Sequence, residues 1–222
     1  MRSFEDIHTI AAARKGGTEA LERLLLTPLP ADELAKVPGS VWLSSMARAI
    51  FQAGINWSVI DAKWPGFEEA FDGFDPGRVA FYHDGDIDRL LADRRIVRNG
   101  AKITAVLENA LFLQSLQAET GDASVHLAHW PVEEHGGLLT LFASRGARLG
   151  GITGQRVCRM VGRDGYLLSP SVLKRLAEEG IAGRAPTSKK AMAAVQDAFN
   201  IWRAESGRPL TQISQILAFS VD

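Results

Sequence analysis

The spacing of apolar residues constrains this chain most, because nearly everywhere it follows a helical period. Ile103, Val106, Leu107, Ala110 and Leu111 recur at three- and four-residue steps, the stripe of an amphipathic helix with one buried face. Alternating stretches of the kind a half-buried strand needs are almost absent. The nearest, HLAHW and LLTLF, are too short and poorly bounded to be strands. Helix starts are frequent. Ser3 with Asp6 reads as a capping box, and Asp75-Pro76 and Ser169-Pro170 each set an N-cap before a first-turn proline. Thr187-Ser188 opens a run to Glu205 that Gly207 and Pro209 close, and Thr211 starts a last short helix ending near Ser220. The expectation is an all-α protein of about ten helices, without internal repeats or low-complexity segments. No Pro/Gly/Ser linker is long enough to separate independent domains. A single domain over residues 1–222 is therefore expected, with two lobes: one around residues 100–180, the other from both ends of the chain.

With 222 residues, 46% of them hydrophobic, the chain can bury a sizeable core, which excludes a disordered tail or a collagen-like repeat. Its one cysteine, Cys158, forms neither an intrachain disulfide nor a Cys-based zinc cage, a usage that suits a reducing cytoplasm. The opening MRSFEDIHTI carries acids and no apolar core, so no secretory signal is read there, and no stretch approaches the ~18 apolar residues of a membrane helix. A cytoplasmic protein without a membrane partner is expected. A net charge of −1 excludes a chain coated in basic residues, yet charge is segregated. Residues 61–93 hold nine acids against three bases; residues 145–175 hold seven bases against Asp164 alone. Such runs are either solvated faces or, for the basic one, a surface able to hold a polyanion.

Within that basic run lies Arg148-Leu149-Gly150-Gly151-Ile152-Thr153-Gly154-Gln155-Arg156. Glycine permits a tight turn and close approach of the backbone to a ligand. A helix starting near Thr153 would offer unpaired N–H donors to an anion, with an arginine on each side. No GKS or GKT follows and no strand precedes, so this is not a P-loop, and a plain helical corner would also use glycine.

Three further segments carry a resemblance. Phe51-Gln52-Ala53-Gly54-Ile55-Asn56-Trp57, then FEEAFDGFDP from Phe67 to Pro76, then Ile96-Val97-Arg98-Asn99-Gly100-Ala101-Lys102-Ile103 resemble the bacterial 3-methyladenine DNA glycosylase I family. That family shows QAG-x-x-W, F-x-x-FDP and IIRN-x-x-KI segments in this order. The Gly150–Gly154 turn is similar to the hairpin of the helix-hairpin-helix glycosylase superfamily. The resemblance implies a two-lobed helical fold whose cleft receives a nucleotide flipped from double-stranded DNA. It implies Arg148, Gly150, Gly151, Thr153, Gly154 and Arg156 as DNA-binding residues, Gly54 and Ile55 as a wedge into the base stack, and Trp42 and Ala49 as lining of the base pocket. Trp57 and Gln52 are its candidate catalytic residues, Trp57 stacking on the base and Gln52 reading a base edge or holding the opposite base. Core packing for Trp42, Ile55 and Trp57, and a helix cap for Gln52, are the alternatives.

The chain also departs from that family. Where the family carries an acid three positions before the QAG glutamine, this chain has Ala49. A glutamate restored there is expected to speed release of a cationic base, provided the pocket has room. The paired Cys and His ligands of the family's zinc are missing, so no metal and no cofactor are expected. Trp202, Ile213, Ile216 and Leu217 are expected to pack the chain ends together instead. Arg156 aligns with the lysine of superfamily lyases and cannot form their Schiff base. Ser169 aligns with a superfamily aspartate and reads as an N-cap, while Asp164 reads as a turn or ion-pair residue. A cationic N3-alkylated adenine leaves as a neutral base, so selection and positioning do most of the work. The expectation is a monomeric, monofunctional glycosylase for alkylated purines such as 3-methyladenine in base excision repair. The alternative is a catalytically degenerate helix-hairpin-helix DNA-binding protein. A metal-dependent hydrolase is disfavoured, since no HxxEH, HExxH or carboxylate cluster is present.

Overall fold

A computed structural model describes residues 1–222, and it is helical throughout, with no strand. In chain order the helices are α1 (Phe4–Lys15), α2 (Thr18–Glu22), α3 (Ala31–Leu34), α4 (Gly39–Gln52), α5 (Trp57–Ala70), α6 (Pro76–Val79) and α7 (Asp84–Ala92). They continue with α8 (Gly100–Thr120), α9 (Ala123–Ala128), α10 (His135–Arg145), α11 (Ile152–Met160), α12 (Pro170–Glu178), α13 (Lys189–Ser206) and α14 (Leu210–Phe219). Fourteen helices exceed the expected ten because α2, α3, α6 and α9 are only four to six residues long, too short to display a period. HLAHW and LLTLF belong to the ends and middles of helices α9 and α10. None of the helices is long and apolar enough to cross a membrane.

Predicted caps are present as side-chain bonds. The Ser3 hydroxyl accepts from the Asp6 N–H, the Asp75 carboxylate from the Arg78 N–H at 3.0 Å, and the Ser188 hydroxyl from the Ala191 N–H at 3.2 Å. Ser169 caps α12 through Val172, and Gly207 ends α13 in the left-handed region. Helix α14 begins one residue earlier than expected, at Leu210. Asp164 caps it, its carboxylate accepting from the N–H groups of Leu210 (3.1 Å) and Thr211 (2.8 Å).

The chain divides into two compact units. The first comprises Met1–Leu29, Trp130–Leu138 and Gly162–Asp222; the second comprises Pro30–His129 and Leu139–Val161. These borders differ from the expected 100–180: residues 30–99 join the helical hairpin, and 162–180 join the chain ends.

In the first unit Trp202, Ile213, Ile216 and Leu217 are fully buried, with Phe4 and Ile7 of α1. Chain ends are joined by polar contacts as well. The Trp202 indole N–H donates to the Arg2 carbonyl at 3.2 Å, the Phe4 N–H to Glu205 at 2.7 Å, and Arg14 pairs with Asp222. In the second unit α4 is the central helix, packed by α8 and α11 and followed by α5. The FEEAFDGFDP segment builds its aromatic core: Phe67, Phe71 and Phe74 are fully buried, and Trp64 lies parallel to Phe74 with centroids 5.4 Å apart. Ile103, Val106, Leu107 and Ala110 of α8 face inward, but Leu111 is exposed. Eight residues beyond Ile103 it has rotated about 80° off the buried stripe, which continues through Phe112 and Leu113.

Candidate functional site

Helices α10 and α11 form a hairpin whose loop, residues 146–151, is fixed by sterics and by one buried amide. A Cβ on Gly146 would lie 2.5 Å from Leu149 Cδ1 and 2.8 Å from the Phe142 carbonyl oxygen. Asn109, fully buried on α8, grips the loop from below: its Nδ2 donates to the Ala147 carbonyl at 3.0 Å, and its Oδ1 accepts from the Ala147 N–H at 2.9 Å. Arg148 then takes a φ of +57° and Gly151 a φ of +60° with ψ −133°, a conformation only glycine adopts without strain. A Cβ on Gly154 would meet the Leu149 carbonyl oxygen at 2.6 Å, so α11 packs directly against the turn. Gly150 has no such requirement, its nearest neighbour being 3.8 Å away. No side chain caps the first turn of α11, where Thr153 is half-buried.

The basic run is not one positive face. Arg163 and Arg175 are 2% and 3% exposed: Arg163 donates to the carbonyls of Trp130 and Asp164, and Arg175 to Glu178 and Ser220. Arg145 is paired with Glu119 at 2.5 Å and with Ser115, and it holds the Glu119 carboxyl down to about 2. Arg148 is exposed and Arg156 half-buried, and neither has a carboxylate partner.

The segment joining α4 to α5 is held by a cation. Lys102, 9% exposed, donates from Nζ to the carbonyls of Phe51 (3.1 Å) and Ala53 (2.7 Å) at the C-terminal end of α4, where a positive charge also meets the helix dipole favourably. Burial, with a smaller contribution from Arg148, lowers its pKa. Gly54 follows with φ +76° and open space around it, and Ile55 is half-buried. Asn56 caps α5 by accepting from the Ser58 N–H at 3.0 Å. Trp57, the first residue of α5, is 48% exposed and therefore no core residue; the Arg156 guanidinium lies 4.5 Å from its ring centroid. Gln52 is 5% exposed and does not cap a helix. Its Nε2 donates to Asp61 Oδ1 at 3.3 Å, a carboxylate that also takes two bonds from Arg48, while its Oε1 has no partner.

Trp42 and Ala49 are fully buried on α4, with the Trp42 indole N–H unpartnered. The structure thus gathers Trp57, Gly54, Ile55 and Arg156 at one accessible place and leaves Trp42 and Ala49 enclosed. Sequence reasoning missed Lys102, Asn109 and Asp61. Lys102 and Asn109 lie about 100° and 120° from Ile103 around α8, off the stripe displayed by the sequence, so the apolar period carries no signal for them. No group of three or more His, Cys, Asp or Glu side chains is arranged to hold a metal ion.

Residues 43–136 match the family profile described as methyladenine glycosylase. DNA-3-methyladenine glycosylase 1 of Escherichia coli is 37% identical over 59 residues, which are 27% of this chain and 32% of that protein. DNA-3-methyladenine glycosylase of Haemophilus influenzae is 36% identical over 59 residues, with the same coverage. The matched region thus spans about a third of the length of these curated relatives. Among solved structures, 3-methyladenine DNA glycosylase I from Staphylococcus aureus superposes with a TM-score of 0.51 at 22% identity, covering 64% of this chain and 82% of that one. A variant of 3-methyladenine DNA glycosylase I in complex with 3-methyladenine gives a TM-score of 0.50 at 20% identity, covering 65% and 85%. These likenesses are of fold. The segment matched to the methyladenine glycosylase profile, residues 43–136, carries most of α4, the Gly54 turn, Trp57, Lys102 and Asn109.

Proposed function

We propose that this chain is a monofunctional DNA glycosylase that releases alkylated purines such as 3-methyladenine from double-stranded DNA, acting as a cytoplasmic monomer. One observation carries the reading: an exposed indole, Trp57, follows a glycine turn fixed by Lys102, within reach of an arginine that has no carboxylate partner. The names of the relatives, each similar over 59 residues, point to the same chemistry.

In this reading the α11 amides with Arg148 and Arg156 hold phosphates, Gly54 and Ile55 enter the gap in the base stack, and Trp57 stacks on the extruded base. The C1′–N bond breaks with its electron pair going to the cationic base, which leaves neutral, and water adds at C1′ with loss of a proton to solvent. Release of a base already carrying positive charge needs little from a general acid. Lyase chemistry has no amine to use: Arg156 stays protonated, and the Lys102 Nζ is committed to two carbonyls.

The test is single-turnover excision from duplex DNA carrying N3-alkylated adenine, with the released base identified by chromatography. Base release that leaves an intact abasic strand, with no covalent adduct trapped by borohydride, is expected. Trp57→Ala should slow release far more than it lowers stability. The degenerate DNA-binding reading draws on the enclosed Ala49 and on Ser169, whose hydroxyl is used as a helix cap. Duplex binding without base release from any alkylated substrate would establish it.

A further inference from the structure

Four arginine guanidiniums lie over aromatic rings in this protein, and three of them are also tethered to a carboxylate. Arg48, over Trp64, is bonded to Asp61; Arg89, over Tyr82, to Asp86; and Arg145, over Phe112, to Glu119. Arg156, over Trp57, has the shortest ring distance of the four, 4.5 Å, and no carboxylate. Its guanidinium is a planar cation resting on a half-exposed indole face, with no ion pair to hold it there. It shares planarity and positive charge with an N-alkylated purine in a nucleotide. Arg156 is also the fifth residue of α11, one turn beyond the uncapped helix start that presents donors to phosphate.

We infer that Arg156 is a displaceable internal occupant of the Trp57 stacking face, drawn off by a DNA phosphate, so that engaging the backbone opens the base site. This rests on the glycosylase reading and deepens it. Without DNA, a free base must compete with the guanidinium, and its apparent affinity is reduced by the fraction of molecules in which Arg156 occupies the ring. With DNA, a charge-assisted bond to phosphate removes the competitor. Linkage then makes the effect mutual: duplex tightens base binding by the same factor as base tightens duplex binding. An exposed cation–π contact sets that factor at about two- to fivefold. The consequence is a protein that discards its product base once the duplex leaves.

The experiment measures binding of free 3-methyladenine by calorimetry to wild type, Arg156→Ala, Arg156→Lys and Trp57→Ala. Each is tested alone and with a duplex carrying a stable abasic-site analogue. Without DNA, Arg156→Ala should bind the base about two- to fivefold more tightly than wild type, and Arg156→Lys should fall between the two, because an ammonium is still drawn to the ring but has no planar face to stack on it. The duplex should tighten wild type by a similar factor and leave Arg156→Ala unchanged. Arg156→Lys should keep the wild-type salt dependence of duplex binding, whereas Arg156→Ala should lose about 0.9 from its slope. Equal base affinity for wild type and Arg156→Ala, an equal duplex effect on both, or undiminished base binding by Trp57→Ala would each overturn the inference. Excision separates the two claims. A wild type that releases alkylated base yet shows none of these differences refutes the displacement alone, and a wild type that releases no base refutes the glycosylase reading.

Discussion

Truncating Asn109 to alanine should loosen the hairpin loop at a cost that can be worked from two bonds. Asn109 is fully buried and serves the Ala147 N–H at 2.9 Å and the Ala147 carbonyl at 3.0 Å. Alanine leaves both backbone groups without a partner, and an orphaned buried group costs roughly 1–3 kcal/mol. Partial access of water to the half-buried Ala147 offsets some of this, so Asn109→Ala should destabilise by about 2–4 kcal/mol. Asn109→Leu fills the vacated volume without restoring either bond, and it should cost nearly as much if hydrogen bonding rather than cavity formation dominates. The same loop carries Arg148 at φ +57°, a conformation a side-chain-bearing residue keeps only when its surroundings impose it. Both variants should therefore bind duplex DNA more weakly than wild type at temperatures where they remain folded. Urea unfolding followed by circular dichroism gives the first quantity, and duplex titration at two salt concentrations gives the second. If both variants unfold within about 0.5 kcal/mol of wild type, the clamp contributes nothing and the reasoning fails.

Lys102→Met keeps the aliphatic stem but removes two charge-assisted bonds to Phe51 and Ala53, less the desolvation of the ammonium. It should cost about 1–3 kcal/mol in melting and slow single-turnover excision by loosening the Gly54 turn. Full activity would remove Lys102 from the positioning machinery. Ala49→Glu should destabilise by at least about 3 kcal/mol in urea unfolding, because a fully buried methyl position would have to take a longer, charged side chain. A wild-type melt with faster release of a cationic base would instead mean that the pocket opens around α4. Arg145, chiefly by hydrogen bonding, lowers the Glu119 pKa from 4.5 to about 2. A carboxyl held below its unfolded value stabilises fully above about pH 4.5 and loses that contribution as the pH falls toward 2. The stability gap between wild type and Glu119→Gln should thus be present at pH 6 and shrink steadily as the pH falls from 4.5 toward 2, and a gap that does not change with pH would contradict the pairing.

Helices long enough to repeat their period were legible from the chain. The ten that exceed eight residues account for the expected number, and Ser3, Asp75, Ser169 and Ser188 cap where their side chains predict. Illegible were the four short helices and the partition into units, which depends on which apolar faces meet. The apolar stripe of α8 looks alike whether it packs against α4 or against the chain ends, so nothing local assigns residues 30–99 to the hairpin side. Leu111 shows the limit of a short window: it extends the three-and-four pattern from Ala110 and Leu107, yet lies outside the buried arc.

The candidate site was legible where a residue's chemistry is local and illegible where it depends on a distant partner. Gly151 and Gly154 are needed for reasons internal to the turn, and both were readable. Charge was not. Seven bases between residues 145 and 175 suggested a polyanion surface, but Arg145 is matched by Glu119, 26 residues away, and Arg175 by Glu178 on its own helix and Glu179 just beyond it. Arg163 is buried among carbonyls. A basic run becomes a positive surface only where the fold brings no carboxylate to it, and in the hairpin unit that condition is met at Arg148 and Arg156. These two flank the glycine turn, so the charge left unmatched coincides with the backbone amides left uncapped. An anion placed there meets cation and donor together, whereas one placed at Arg145 or Arg175 meets an arginine already paired with a carboxylate.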